Sequence, residues 1–103
     1  MPRPDKKIFY QDVYSVVKEI PRGKVISYGE IACLIGWSNY SRMVGAAVSK
    51  APATLQLPCH RVVNSSGRTA PDWEEQRILL EEEGVLFKAN DCVDMKIFAW
   101  EWR

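Results

Sequence analysis

Histidine occurs once in this sequence and cysteine three times, and no acidic residue falls between Glu30 and Asp72. The cysteines, Cys33, Cys59 and Cys92, are far apart and odd in number. They form no C-x-x-C pair, so neither a zinc site nor a disulfide framework is indicated, and no metal or cofactor is expected. No apolar run approaches the ~18 residues of a membrane span. The start, Met1-Pro2-Arg3-Pro4-Asp5-Lys6-Lys7, has no apolar signal region, so no secretory leader and no membrane attachment are expected. A cytoplasmic protein is the expectation. Repeats, linkers and low-complexity segments are missing as well. The chain has 103 residues, of which 47% are hydrophobic and 26% charged. That suits one compact domain over residues 1–103 with a single modest core, working as a monomer.

The formal net charge of +1 conceals a segregation. The acid-free span carries Arg42, Lys50, Arg61 and Arg68, whereas Asp72, Glu74, Glu75 and Glu81-Glu82-Glu83 follow it. One positive face on a nearly neutral protein suits a polyanion, although four cations alone are a weak signal.

Local patterns predict mostly helix. Asp5 can cap a helix over 6–19, with Ile8, Phe9, Val13, Val16 and Val17 as its apolar stripe. Pro21-Arg22-Gly23 predicts a turn, and Lys24-Val25-Ile26 a short extended piece. Ser27 with Glu30 has the capping-box spacing, which starts a helix to about Leu34 that Gly36 stops. Ser38 or Asn39 can cap the next helix, over 40–49, whose small run Gly45-Ala46-Ala47 implies close approach of another surface. Two short helices around a tight turn form a helix-turn-helix pattern. Asn64 to Arg68 predicts a turn, and 74–83 a helix with Ile78, Leu79 and Leu80 inward, ended by Gly84. Val85-Leu86-Phe87 is a candidate strand. Trp100 and Trp102 read as packing residues. The sum is a mainly α fold with minor β in a single domain, whose helix pair reads as a helix-turn-helix or as a plain helical hairpin in a core.

Chemistry concentrates in Leu57-Pro58-Cys59-His60-Arg61-Val62-Val63. A thiol reacts as thiolate, and its ordinary pKa of about 8.5 leaves a few per cent ionised at neutral pH. An imidazole and a guanidinium nearby raise that fraction. Most cysteines, however, are inert core residues, and chain neighbours on extended backbone point to opposite faces.

The flanking motifs change that balance. Ile20-Pro21-Arg22-Gly23-Lys24-Val25, Ser27-Tyr28-Gly29-Glu30-Ile31-Ala32, Arg42-Met43-Val44-Gly45-Ala46-Ala47 and Pro58-Cys59-His60-Arg61-Val62-Val63 follow in order. With this spacing the run from Ile20 to Val63 resembles the C-terminal, DNA-binding domain of O6-alkylguanine-DNA alkyltransferases. Asn64-Ser65-Ser66-Gly67 and Leu80 through Gly84 extend the likeness over most of the chain after residue 10.

The resemblance implies a single winged-helix-like domain with a minor-groove helix-turn-helix that flips a damaged guanine out of duplex DNA. It implies that Cys59 accepts the alkyl group from guanine O6 irreversibly. His60 would deprotonate it through a water, and Glu83 would orient the imidazole. Arg42 would fill the hole left by the flipped base, and Tyr28 would push the 3′ phosphate and contact the base. Gly45, Lys50 and Arg61 complete the expected DNA contacts. The partner expected is double-stranded DNA containing O6-alkylguanine. A base inside a duplex is out of reach of a side chain, so extrusion costs a few kcal/mol. An inserted arginine offsets that cost.

Three departures from the family's pattern stand out. The N-terminal domain common there has no counterpart in this sequence. Ala51 replaces an expected asparagine. The pocket loop is shortened to Arg68-Thr69-Ala70-Pro71-Asp72-Trp73. Small size and a short loop also resemble alkyltransferase-like proteins, which bind the lesion without transfer and typically carry tryptophan or alanine where Cys59 stands. Two readings follow: a single-turnover methyltransferase, and a damage sensor that recruits downstream repair proteins. A transcription regulator fits less well, because the second helix is small and apolar rather than base-reading.

Overall fold

The computed structural model describes residues 2–102. Helix α1 spans Lys6–Glu19, and the Asp5 carboxylate accepts the Ile8 N–H at 3.1 Å. Phe9, Val13 and Val17, four residues apart, are its buried stripe. Ile8, expected on that stripe, faces solvent instead. Ile20 ends the helix in extended backbone, where a residue before proline is driven.

Strand β1, Ile26–Ser27, runs directly into helix α2, Tyr28–Leu34. Ser27 links them: its Oγ accepts the Glu30 N–H at 3.1 Å. Gly36, at φ +86°, turns the chain after α2. Helix α3 spans Ser41–Ser49. Neither Ser38 nor Asn39 caps it. Tyr40 occupies the cap position without a side-chain cap bond. Its ring packs edge-on to Trp37 at 5.5 Å and tilted to Phe9 at 6.3 Å. Ring packing, together with the Trp37 N–H on the Ala32 carbonyl, sets the entry angle of α3. Helices α1 to α3 close over the main core, into which Ile31, Ala32, Val44 and Ala47 project from the helix-turn-helix pair.

Two short 3-10 turns, Ala53–Leu55 and Cys59–Arg61, lead into strand β2, Val62–Val63. It pairs parallel with β1, Ile26 opposite Val62 and Ser27 opposite Val63. Helix α4 covers Glu75–Glu82. Its inward residues are Gln76 and Leu80, while Ile78, expected inside, is 56% exposed. A buried, fully bonded glutamine has rotated the helix away from the face that hydrophobicity alone selects. Val85 to Phe87 forms no strand; only Phe87 bridges Val93. Helix α5, Met95–Phe98, precedes an extended end in which the Trp100 N–H reaches the Val25 carbonyl at 2.7 Å. Trp100 and Trp102 pack against the main core.

The mainly helical fold with minor β is therefore as read from the sequence. Among the described residues no helix is long and apolar enough to cross a membrane.

Candidate functional site: a thiol cavity beside an ion-paired histidine

Cys59 opens the 3-10 turn that feeds β2. Because β2 pairs with β1, and β1 runs into α2, this turn lies beside Tyr28, the first residue of α2. The two side chains share a cavity of about 490 Å³. Gly45, Val48 and Ser49 of α3 form one wall, and Ala70, Pro71, Asp72 and Trp73 form the other. Gln76 lies at its inner end. That volume suits a small ligand. Burial pushes the Cys59 thiol up from its ordinary value. Burial, and then the nearby Cys59, also push the Tyr28 hydroxyl up. No hydrogen bond reaches the Cys59 sulfur among the described residues.

His60, the next residue, has different surroundings. Its Nε2 lies 2.6 Å from Glu83 Oε2. Glu83 sits at the end of α4 and its side chain is 5% exposed. Arg61 donates to the same carboxylate, from Nε at 3.0 Å and from Nη2 at 2.8 Å. The Gly23 amide donates to Oε1 at 2.8 Å. Burial alone would raise the Glu83 carboxyl. The bonds from Arg61, Gly23 and His60, with the charge of His60, outweigh it and lower the pKa to about 2. In the neutral form, an imidazole whose Nε2–H donates to that carboxylate presents Nδ1 as acceptor. Glu83 thus fixes both the tautomer and the ring plane.

Arg61 departs from expectation. A DNA contact was expected, but its guanidinium is turned inward, and Nη1 donates to the Ile20 carbonyl at 2.8 Å. The local reason is Glu83, a buried carboxylate that needs a bidentate partner. Arg42, in the first turn of α3, and Lys50, at its end, are exposed, as is Arg68. Gly45 lines the cavity, and a Cβ there would meet the Tyr28 ring at 3.8 Å, an ordinary contact. The fold itself therefore does not demand glycine at this position.

The other cysteines do not follow the hydropathy of their neighbours in the chain. Cys33, in an apolar helical pattern, is exposed. Cys92, in a polar loop, is buried, because the Lys88 N–H on the Cys92 carbonyl and the Phe87–Val93 bridge fold that loop inward. Neither residue lines the Cys59 cavity.

Two residues of the site were invisible in the sequence. Gln76, with no exposed surface, accepts the Ala70 N–H at 2.7 Å. It donates to the carbonyls of His60 at 3.1 Å and Val62 at 2.8 Å. It therefore ties the pocket loop to the Cys59 turn. Tyr14 of α1 donates its hydroxyl to the Ala47 carbonyl at 2.8 Å, and burial, Tyr10 and Cys59 raise its pKa. The one available signal was a polar residue four positions before Leu80 on the inward stripe of α4.

Comparison with known proteins agrees with this architecture. The family model for the DNA-binding domain of 6-O-methylguanine DNA methyltransferase matches residues 8–85. The DNA base-flipping protein of Escherichia coli K12 is 37% identical over 97 residues, covering 91% of this chain and 75% of that protein. The crystal structure of S. pombe Atl1 in complex with damaged DNA containing O6-carboxymethylguanine superposes with a TM-score of 0.82. It is 34% identical and covers 98% of this chain and 99% of that one. A methylated-DNA–protein-cysteine methyltransferase of Thermococcus sibiricus is 41% identical over 80 residues, which are 75% of this chain but 45% of that protein. By motif, fold and family model together, the chain belongs to the family of 6-O-methylguanine DNA methyltransferases, through their DNA-binding domain.

Proposed function

We propose that this protein binds duplex DNA containing O6-alkylguanine, turns the lesion base out into the Cys59 cavity, and takes the alkyl group onto Cys59 once and irreversibly. The observation that carries this reading is the thiol in the wall of a cavity shared with Tyr28 and Gly45, directly before a histidine whose far nitrogen is held by Glu83. Helices α2 and α3 face the minor groove. Arg42 enters the stack where the base leaves it. Tyr28 meets the extruded nucleotide, Lys50 adds a phosphate contact, and Gly45 leaves room for the strand.

The chemistry balances simply. The sulfur forms a bond to the alkyl carbon as the bond from that carbon to O6 breaks, and the electron pair passes to the guanine. The thiol proton moves through a water to His60 Nδ1 and ends on guanine N1. Normal guanine and an S-alkyl cysteine are the products. Since nothing removes the alkyl group, each molecule acts once. Arg61 acts through Glu83 and not on the DNA.

A second reading has specific support. Burial raises the Cys59 thiol, and no hydrogen bond to it favours the thiolate. S. pombe Atl1 matches along nearly the whole of both chains. In this reading the protein flips and holds the lesion, leaves it unchanged, and recruits downstream repair proteins. Intact mass after incubation with a duplex holding O6-methylguanine separates the two. Transfer gives one methyl increment, mapped to Cys59 and lost in Cys59→Ala. Tight binding with unchanged mass assigns the sensor role.

A further inference from the structure

We infer that Asp72 makes the Cys59 cavity selective against O6 adducts that carry a negative charge, so that neutral alkyl groups are the favoured class. The inference rests on the lesion-binding reading above and concerns which lesions the same cavity accepts. Of the residues lining that cavity, Asp72 alone carries a formal charge at neutral pH. Of the four cations of the acid-free span, Lys50 is exposed between Ser49 and Ala51 and is not in this lining, and the other three belong to other settings. Arg61 is held by Glu83 and the Ile20 carbonyl. Arg68 lines a neighbouring cavity, which shares Tyr28, Ala70, Pro71 and Trp73 with this one, and is not in the Cys59 lining. Arg42 is exposed on α3 and is not in this lining. An anionic adduct therefore enters a cavity that offers it no counter-charge and one carboxylate.

Two physical terms then act in the same direction. Like charges repel, and more strongly where water is thinned out. A carboxylate leaving water for a partly apolar wall of Val48, Ala51, Val62 and Trp73 also loses hydration. The same burial pushes the Cys59 thiol up. The Gln76 bond to the Ala70 amide holds the loop bearing Asp72 in place. Since Asp72 is exposed, its part of the effect is open to screening by salt.

The test compares three lesion duplexes by equilibrium binding at low and high salt, with Cys59→Ala as the background so that no alkyl group is consumed. They hold O6-methylguanine, O6-carboxymethylguanine and the neutral isostere of the latter, O6-carbamoylmethylguanine. The quantity read is the ratio of affinities for the carbamoyl and carboxymethyl adducts, which have nearly the same shape. We expect a ratio of about tenfold at low salt, equivalent to ~1.4 kcal/mol. It should fall to about threefold in Asp72→Asn and at high salt, and persist in Asp72→Glu, which keeps the charge. Equal affinity for the two isosteres, with O6-methylguanine still preferred over guanine, overturns the inference alone. So does a ratio that Asp72→Asn leaves unchanged. No preference for O6-methylguanine over guanine removes the lesion-binding reading itself, and the inference with it.

Discussion

Cys59 and His60 are adjacent in the chain and could hardly be less alike in surroundings. The sulfur faces a cavity and has no hydrogen-bond partner among the described residues. The imidazole is anchored to a carboxylate that also binds a guanidinium and a backbone amide. The contrast separates two jobs that a Cys-His-Arg run seems to merge. The cavity side is open and adds little to the fold. The His60–Glu83–Arg61 side joins α4, the turn before β1 and the turn before β2, and so supports the fold while it orients the ring.

The largest effect that would break this division is at Glu83. Glu83→Ala leaves the Arg61 guanidinium and the Gly23 amide without their acceptor, and breaking a buried pair costs about 3–5 kcal/mol. Urea unfolding should show it. An unchanged midpoint would mean that the cluster is not structural.

Acid should act on the same side. The folded-state pKa of Glu83 is about 2, below the ordinary 4.5. A depressed carboxyl contributes its stability in full above the ordinary value and loses it as pH falls from there through the folded value. The loss between about pH 4.5 and 2 should be on the order of 3 kcal/mol. In Glu83→Gln this share of the acid sensitivity should vanish, which a pH series of thermal melts would detect.

A smaller loss is expected at Gln76, where the two sides are tied together. Gln76→Met keeps the volume but abandons the Ala70 amide and two carbonyls, at about 1–3 kcal/mol. Amide exchange should quicken first in residues 68–73. Uniform quickening throughout the chain would argue against a local tie.

The smallest effects on stability belong to the cavity and the exposed cations. Cys59→Ala should shift unfolding by less than about 1 kcal/mol and retain lesion binding. Arg42→Ala should unfold like the parent yet bind the lesion duplex ~1–3 kcal/mol more weakly. Equal binding of parent and Arg42→Ala would remove Arg42 from the stack.

Much of the frame was legible because its signals are local. Asp5 and Ser27 cap helices through residues three positions on, and Gly36 and Gly84 sit where positive φ ends one. What escaped reading depends on partners far along the chain. Arg61 read as a phosphate contact because Glu83, 22 residues later, is not visible as its partner from local pattern. Gln76 was not singled out, because a buried amide is recognisable only when its three backbone partners are known. Cys33 and Cys92 show the converse: neighbouring hydropathy describes the segment and not the side of it that each thiol occupies. The entry to α3 was assigned to Ser38 or Asn39, since capping preference is local and the packing of Tyr40 on Trp37 and Phe9 is not.

The bond from the Gly23 amide to Glu83 spans 60 residues of chain. Its formation closes a loop over more than half the protein, and the entropy of that closure is met only when α4 docks. Kinetically, the histidine anchor should be among the last features to appear on refolding. A nascent chain would carry Tyr28, Gly45 and Cys59, the earlier part of the cavity lining, before it carried an oriented imidazole. The Gly23 N–H is then a natural clock for that final step. Its protection against solvent exchange should rise with the slowest folding phase, well after the amides of α1 have become protected.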